Sequence, residues 1–302
     1  MSSRTSGTHF QGPILGSGES VKGLFDDVSL GAVDSARSPY KVWVDNFDVQ
    51  AADGQLEGMG ATLTDLNTAT SPGEIIGGQN PYLLINPGTK SDAGSSVQFN
   101  AAPATGLIGA PFRSAGPIVS TAPLMDNREL FFYTRVGFAS DTVAWDGKAI
   151  VAWMVNDTTP LVTATGVLSI ATGGGFGFHV AEDGTLGYFT SGSAVTSATD
   201  SGFNVLTDTA DAADAGAYVW YTLGARTKFT DASAGTGSTD FYVNGRNVAT
   251  VADSVTMPST ETYSMTYTIV NGPARDSDLA VDYCITGISR SGITFPYDSG
   301  TY

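Results

Sequence analysis

The chain has 302 residues, 30 of them acidic and 14 basic, so its formal net charge is −16. A surface of this sign repels phosphate, and no cluster of Lys and Arg offers a local exception. The charge therefore argues against nucleic-acid binding and against binding to anionic membranes. Apolar residues make up 41% of the chain and charged residues only 15%, which predicts a folded protein rather than a disordered one.

The composition also restricts the fold class and the compartment. Glycine accounts for 37 residues and aspartate outnumbers glutamate by 24 to 6, a balance that disfavours helices. No apolar run approaches the ~18 residues of a transmembrane helix, and the first ten residues lack the apolar core of a secretory signal. The single cysteine, Cys284, excludes an intrachain disulfide, so we expect folding that does not depend on oxidation.

Residues 1–38 differ from the rest of the chain in their hydrophobic pattern. Their apolar residues follow neither the period of a strand nor that of a helix, so the segment cannot close a core of its own. Aromatic and branched aliphatic residues are uncommon in disordered tails. We therefore expect an extended N-terminal arm, either a strap on its own domain or an arm on a neighbouring subunit, with a disordered tail as the alternative. The predicted anchors are Phe10, Ile14, Leu15, Leu24 and Phe25.

Residues 39–302 are predicted to form a single domain of strands and tight turns. Apolar residues alternate with others at 130–138, 219–225, 263–269 and 279–285, which predicts strands with one row facing a core. Residues 149–155 are apolar on both rows. The pairs Asn244-Gly245 and Asp183-Gly184 predict hairpins, because Asn-Gly and Asp-Gly favour two-residue turns with positive φ. No segment reads as a convincing amphipathic helix, so the pattern favours an all-β sandwich.

Six segments occur in an order that resembles a known family. They are LFFYTRVGFA (130–139), WMVNDTTP (153–160), FHVAEDGTLGY (178–188), WYTLGAR (220–226), FYVNG (241–245) and LAVDY (279–283). The series resembles the concanavalin A-like (laminin-G-like) jelly-roll modules of bacteriophage virion proteins, over about residues 40–290. This resemblance implies a jelly roll of two antiparallel sheets in which an early Asp-x-Phe strand, here Asp45-Asn46-Phe47, pairs with the last strand. The segment His9–Leu15 also resembles leaders of phage structural proteins.

The sequence contains no recognisable catalytic arrangement. Jelly-roll hydrolases place carboxylates as Glu-x-Asp-x-x-Glu on one strand, and none of the six glutamates has such partners. The two histidines, His9 and His179, lie in unrelated contexts, so neither a zinc site nor a Cys-His couple is predicted. His179 alternates with Phe176 and Phe178, and we expect it to face away from their core. We predict no enzymatic activity and no cofactor; a polysaccharide hydrolase built from two aspartates is the last alternative.

Two further hypotheses concern ligands. Aspartates at 208–214 and at 276–278 are spaced closely enough to offer oxygens to calcium, although surface aspartates that keep the protein soluble are the simpler interpretation. A bound saccharide would stack on an exposed aromatic ring. Trp145, in the loop-like TVAWDG, is the possible glycan contact; an aromatic that closes the edge of the core is the alternative.

These observations favour a phage virion structural protein over an enzyme. The hypothesis is a head decoration (cement) protein, assembled in the host cytoplasm, whose arm contacts the major capsid protein and sister subunits. The outer faces of residues 149–155 and of Trp220 are too apolar for solvent and indicate an interface. By analogy alone, a homotrimer is expected. The main alternative is a carbohydrate-binding module of a tail fibre or adhesin, with a glycan as its partner.

Overall fold

The computed structural model describes residues 40–45, 61–66, 71–76, 82–86, 94–99, 129–140, 145, 147–155, 175–191, 199–205, 218–231, 236–252, 263–271 and 277–289. The predicted arm and its five anchors lie outside these residues. The described strands are β1 (Tyr40–Asp45), β2 (Ala61–Leu66), β3 (Ser71–Ile76), β4 (Tyr82–Asn86), β5 (Gly94–Phe99), β6 (Glu129–Ser140), β7 (Lys148–Val155), β8 (Gly175–Val180), β9 (Thr185–Ser191), β10 (Thr199–Asn204), β11 (Val219–Asp231), β12 (Thr236–Val243), β13 (Arg246–Ala252), β14 (Tyr263–Val270) and β15 (Ser277–Ser289).

The strands form two antiparallel sheets that pack face to face. Sheet A has the order β13-β12-β11-β6-β15-β4-β3, with β1 also paired to β15, and sheet B has the order β10-β9-β8-β7-β14-β5-β2. This arrangement confirms the predicted all-β sandwich. Strand β1 pairs with β15 and places Asp45 opposite Cys284, as the resemblance implied, although Phe47 lies outside the described residues. Within the described part of the chain, no helix is long and apolar enough to cross a membrane.

The core between the sheets combines aliphatic side chains with large aromatic rings. Phe132 of β6 stacks on Phe176 and meets Phe178 edge-on, with ring centroids 6.2 and 6.3 Å apart. Trp153 of β7 is fully buried, and its Nε1 donates to the carbonyl of Phe131 across the sandwich at 3.2 Å. Because successive strand residues alternate between faces, the apolar rows of the sequence supply this core. Burying one such ring contributes roughly 1.5–3 kcal/mol.

Both predicted hairpins are present. Asn244 and Gly245 join β12 to β13 with φ of 51° and 76°, the positive values that a type I′ turn requires. Gly184, with a φ of 79°, turns the chain between β8 and β9. These turns fix the register of the strands on either side.

A chain of hydrogen bonds joins the two sheets near their centre. The Thr134 hydroxyl donates to the carbonyl of Tyr283 at 2.6 Å. Since a hydroxyl has one proton to give, the 2.9 Å bond between Thr134 and the Tyr267 hydroxyl of sheet B has Tyr267 as its donor. The register of β15 on β6 shifts between Val281 and Tyr283, which marks a β-bulge whose extra residue is Asp282. The last hydrogen bond of the series is therefore accepted by the carbonyl next to this bulge.

We expect Tyr267→Phe to destabilise the protein by about 1–3 kcal/mol, because it leaves the buried Thr134 oxygen without its donor. Thr134→Val should lower the free energy of unfolding by a similar amount. The double variant should lower it by less than the sum of the two single changes, because both changes act on the same series of hydrogen bonds. Urea unfolding of the three variants measures these values, with Thr134→Ser as the hydroxyl-retaining control. Full additivity of the two single changes would contradict this coupling.

Candidate functional site

On the outer face of sheet A, three aromatic rings each pack closely on a glycine of the neighbouring strand. The pairs are Phe131 with Gly287, Tyr133 with Gly224, and Trp220 with Gly137. A Cβ built on these three glycines would lie 2.4, 2.8 and 3.1 Å from the nearest ring atom. The glycines therefore let the rings lie against the backbone of the sheet. We call these three rings the outer aromatic row.

The outer aromatic row is covered at one end and open at the other. Phe131 is fully buried and Tyr133 is 6% exposed, and burial raises the pKa of the Tyr133 hydroxyl. Trp220 is only partly buried. The row therefore reaches solvent at Trp220, on β11 near the middle of sheet A.

Arg135 and Asp282 hold the Trp220 ring in place. The guanidinium carbon of Arg135 lies 4.5 Å from the centroid of the ring, a cation–π contact that stabilises by about 0.5–1 kcal/mol at an exposed position. Arg135 Nη1 donates to Asp282 Oδ2 at 2.7 Å, and the two side chains are 33% and 23% exposed. Asp282 is the extra residue of the bulge in β15, so the bulge supplies the carboxylate that anchors the guanidinium.

Two tyrosines extend this surface along the sheet. The ring of Tyr218 lies 5.7 Å from that of Trp220 and 5.9 Å from that of Tyr82. Burial, and then the charge of Asp278, raises the pKa of Tyr218 above its usual range, so this tyrosine stays neutral at physiological pH. We name the five residues that meet here the Trp220 patch: Tyr82, Arg135, Tyr218, Trp220 and Asp282.

The outer face of sheet B carries a histidine next to an ion pair. His179 faces away from Phe176 and Phe178, as predicted, and lies opposite Ile150 and Gly187. Burial, followed by the positive charge of Lys148, lowers the pKa of His179 to about 4. The imidazole is therefore neutral at pH 7, and its buried Nε2 makes no hydrogen bond to the described residues.

Charged groups surround this imidazole from two elements. Lys148 of β7 pairs with Glu182 of the β8–β9 turn at 2.6 Å. Asp183 of the same turn raises the pKa of His179, but by less than burial and Lys148 lower it. The arrangement offers a neutral imidazole and a paired carboxylate.

The structure distinguishes the two interpretations of Trp145. This residue, the possible glycan contact, is 4% exposed and meets Phe138 edge-on at 5.8 Å. The ring therefore closes the edge of the core, as the alternative interpretation has it, and is not placed to stack on a saccharide. Trp153 is buried, and of the three tryptophans whose burial the structure describes, Trp220 is the one that reaches the surface.

The calcium hypothesis stays a prediction, and the outer face of residues 149–155, expected to be an interface, is buried. In the part of the chain that the structure describes, no group of three or more His, Cys, Asp or Glu side chains could hold a metal ion; aspartates 208–214 and Asp276 lie outside it. Ile150 and Ala152, on the outer face of β7, are 2% and 0% exposed. This face is therefore not available to a partner, whereas the Trp220 patch is.

No protein-family model matches the sequence, and no curated protein matches it. Solved structures with a similar fold include the carbohydrate recognition domain of Emp46p, at 10% identity and a TM-score of 0.46, over 82% of this chain and 96% of that one. Basic winged bean lectin is 10% identical with a TM-score of 0.44, over 82% of this chain and 98% of that one. A carbohydrate esterase of the Shiga toxin-encoding bacteriophage phi24B is 10% identical with a TM-score of 0.42, over 82% of this chain and 100% of that one. At these identities the likeness concerns the fold alone.

We expect the stability of the protein to fall as the pH decreases from 6.5 to 4. The unfolded chain binds a proton at His179 near pH 6.5, whereas the folded chain resists protonation down to about pH 4. Protonation therefore favours unfolding in this window, by up to about 3 kcal/mol. Urea unfolding at pH 4.5 and pH 7 measures the loss. His179→Gln should reduce it, and an equal loss in the variant would show that His179 is not its source.

Proposed function

We propose that this protein is a non-catalytic binding protein that docks onto a protein partner through the Trp220 patch. The observation that carries the proposal is a partly exposed tryptophan flanked by Tyr218 and Arg135 on central strands of a sheet. Trp, Tyr and Arg are the residues that most often dominate binding energy at protein interfaces.

The geometry of the patch suits rapid, specific docking. The Trp220 ring lies against Gly137 and beneath the guanidinium of Arg135, which Asp282 anchors. Side chains that are ordered before binding lose little conformational entropy on association. The carboxylate of the patch is already paired with Arg135, an arrangement suited to recognition rather than to acid–base catalysis.

We propose further that the partner is a phage particle, on which the protein acts as a head decoration protein. This finer proposal is supported by the resemblance of residues 130–283 to virion modules and by the acidic, apolar-rich composition. The arm residues 1–38 would supply a second contact, with the capsid protein or with sister subunits. Several modest contacts on one particle add up through multivalent attachment.

The second candidate function is carbohydrate binding at the same patch. An indole beside the planar Arg135–Asp282 pair offers both an apolar face and hydrogen-bonding groups, the combination that sugar rings require. The guanidinium lies over the ring on which a sugar would stack, however, and would have to be displaced. This contact favours the first candidate.

Trp220→Ala should weaken binding to phage heads assembled without this protein by at least 10-fold, because truncating a central hot-spot residue typically costs about 2 kcal/mol or more. Co-sedimentation with purified heads measures the affinity. Tyr242→Ala, a partly buried tyrosine of the same sheet outside the patch, is the matched control and should bind as the wild type does. Equal binding by Trp220→Ala would refute docking through the patch.

Deletion of residues 1–30 should abolish stable attachment to the same heads while the sandwich keeps its urea midpoint, since the arm is proposed as a separate contact. Unchanged attachment of the truncated protein would remove the arm from the proposal and leave the patch in place.

A glycan array distinguishes the second candidate function from the first. A saccharide that the wild type binds and that Trp220→Ala does not bind would show that the partner of the patch is a glycan and not a protein.

A further inference from the structure

The edges of the two sheets differ in how they are protected against pairing with other strands. Among the described strands, β13 and β3 end the path of sheet A, β1 lies at a further edge beside β15, and β10 and β2 end sheet B. Proline, charge and bulges commonly block an exposed edge. The blocking features are Pro72 in β3, Lys41 and Asp45 in β1, Asp65 in β2, and Asp200 beside a register shift in β10. Each of these four strands therefore carries a blocking feature.

Strand β13 lacks such protection over its last four residues. Its sequence is RNVATVA, in which the one charged residue, Arg246, stands at the start of the strand and no Pro occurs. The shift in its pairing with β12 is confined to Val248, which leaves Ala249–Ala252 as a regular edge. Thr250 and Ala252 are exposed.

The inner row of this edge is incompletely buried. Ala249 and Val251 pair with Phe241 and Thr239 of β12, whose side chains face the core. Both pack against the core yet stay partly exposed at the rim of the sandwich. A further strand beside β13 would cover them and would pair the backbone groups that point away from β12.

We propose that β13 pairs with β13 of a second copy of this chain, antiparallel, about a two-fold axis at Thr250. An axis perpendicular to the sheet keeps inner residues opposite inner residues. It places Ala249 of each copy opposite the larger Val251 of the other copy, and Thr250 of one copy opposite Thr250 of the other. The small and large apolar side chains therefore complement each other twice.

A second copy suits this edge better than an unrelated strand does. A two-fold contact satisfies both copies with one surface. Strand β13 itself adds no carboxylate to the contact, and the neighbouring Asp240 of β12 already accepts a hydrogen bond from Thr250. The pairing does not involve the Trp220 patch, so a dimer presents two such patches and, if the proposed function holds, binds a particle bivalently. A two-fold dimer also differs from the homotrimer expected by analogy.

The experiment is sedimentation equilibrium of the full chain from 1 to 200 µM. The wild type should sediment as a dimer. Thr250→Lys and Thr250→Glu each place like charges on the two-fold axis and should weaken self-association by at least 10-fold, whereas an equimolar mixture of the two should restore the dimer. Thr230→Lys, which alters an exposed threonine of β11, is the matched control and should dimerise normally.

The outcomes that overturn the proposal are equally specific. A wild type that is monomeric at 200 µM, a trimeric mass, or a dimer unaffected by both Thr250 variants would each refute pairing through β13. Because Thr250 donates to Asp240 at 2.6 Å, urea unfolding checks the fold of each variant, and Ala252→Lys serves as a second edge variant that spares this bond. Trp220→Ala should dimerise as the wild type does, which separates this proposal from the proposed function.

Discussion

The hydrogen bonds that run from Tyr267 through Thr134 to the carbonyl of Tyr283 are the interaction on which the candidate surface depends. They couple the two sheets at the point where β15 bulges. The bulge inserts Asp282, and this carboxylate holds the guanidinium over Trp220. A polar contact inside the core thus lies next to the residue that places a charge on the outer face. Burial of the contact makes it strong, since water cannot compete for either hydroxyl.

The glycine-rich composition has a specific use in sheet A. A side chain at Gly137, Gly224 or Gly287 would collide with the ring across from it. Glycine in a strand ordinarily weakens the strand, and here the opposing ring covers the exposed backbone in compensation. The result is an outer face on which large rings lie close to the sheet instead of projecting from it. At the Phe131 end of the row this face is fully buried.

Much of the fold could be predicted from the sequence, because alternation and turn residues are local signals. The rows of β6, β11, β14 and β15 and both hairpins follow directly from them. For Trp145 the sequence leaves a glycan contact and a ring at the edge of the core both open, because the choice depends on Phe138 of the preceding strand, against which the ring packs. The apolar outer face at Trp220 can be predicted from the sequence, but the residues that surround the ring cannot. Strand register brings Gly137 under the ring and Asp282 next to Arg135, and sequence alone does not give this register. The arm anchors stay a prediction.

The pairing of β1 with β15 has a consequence for how this sandwich can be connected to other chains. Tyr40 lies opposite Ser289, so the first described strand begins at the corner where the last one ends. Chain entry and exit at one corner allow a domain of this kind to be inserted into a surface loop of a host protein without spreading that loop apart. The same adjacency permits a circular permutant in which a short linker joins Ser289 to Tyr40 and new termini are opened at the tight Asn244-Gly245 turn.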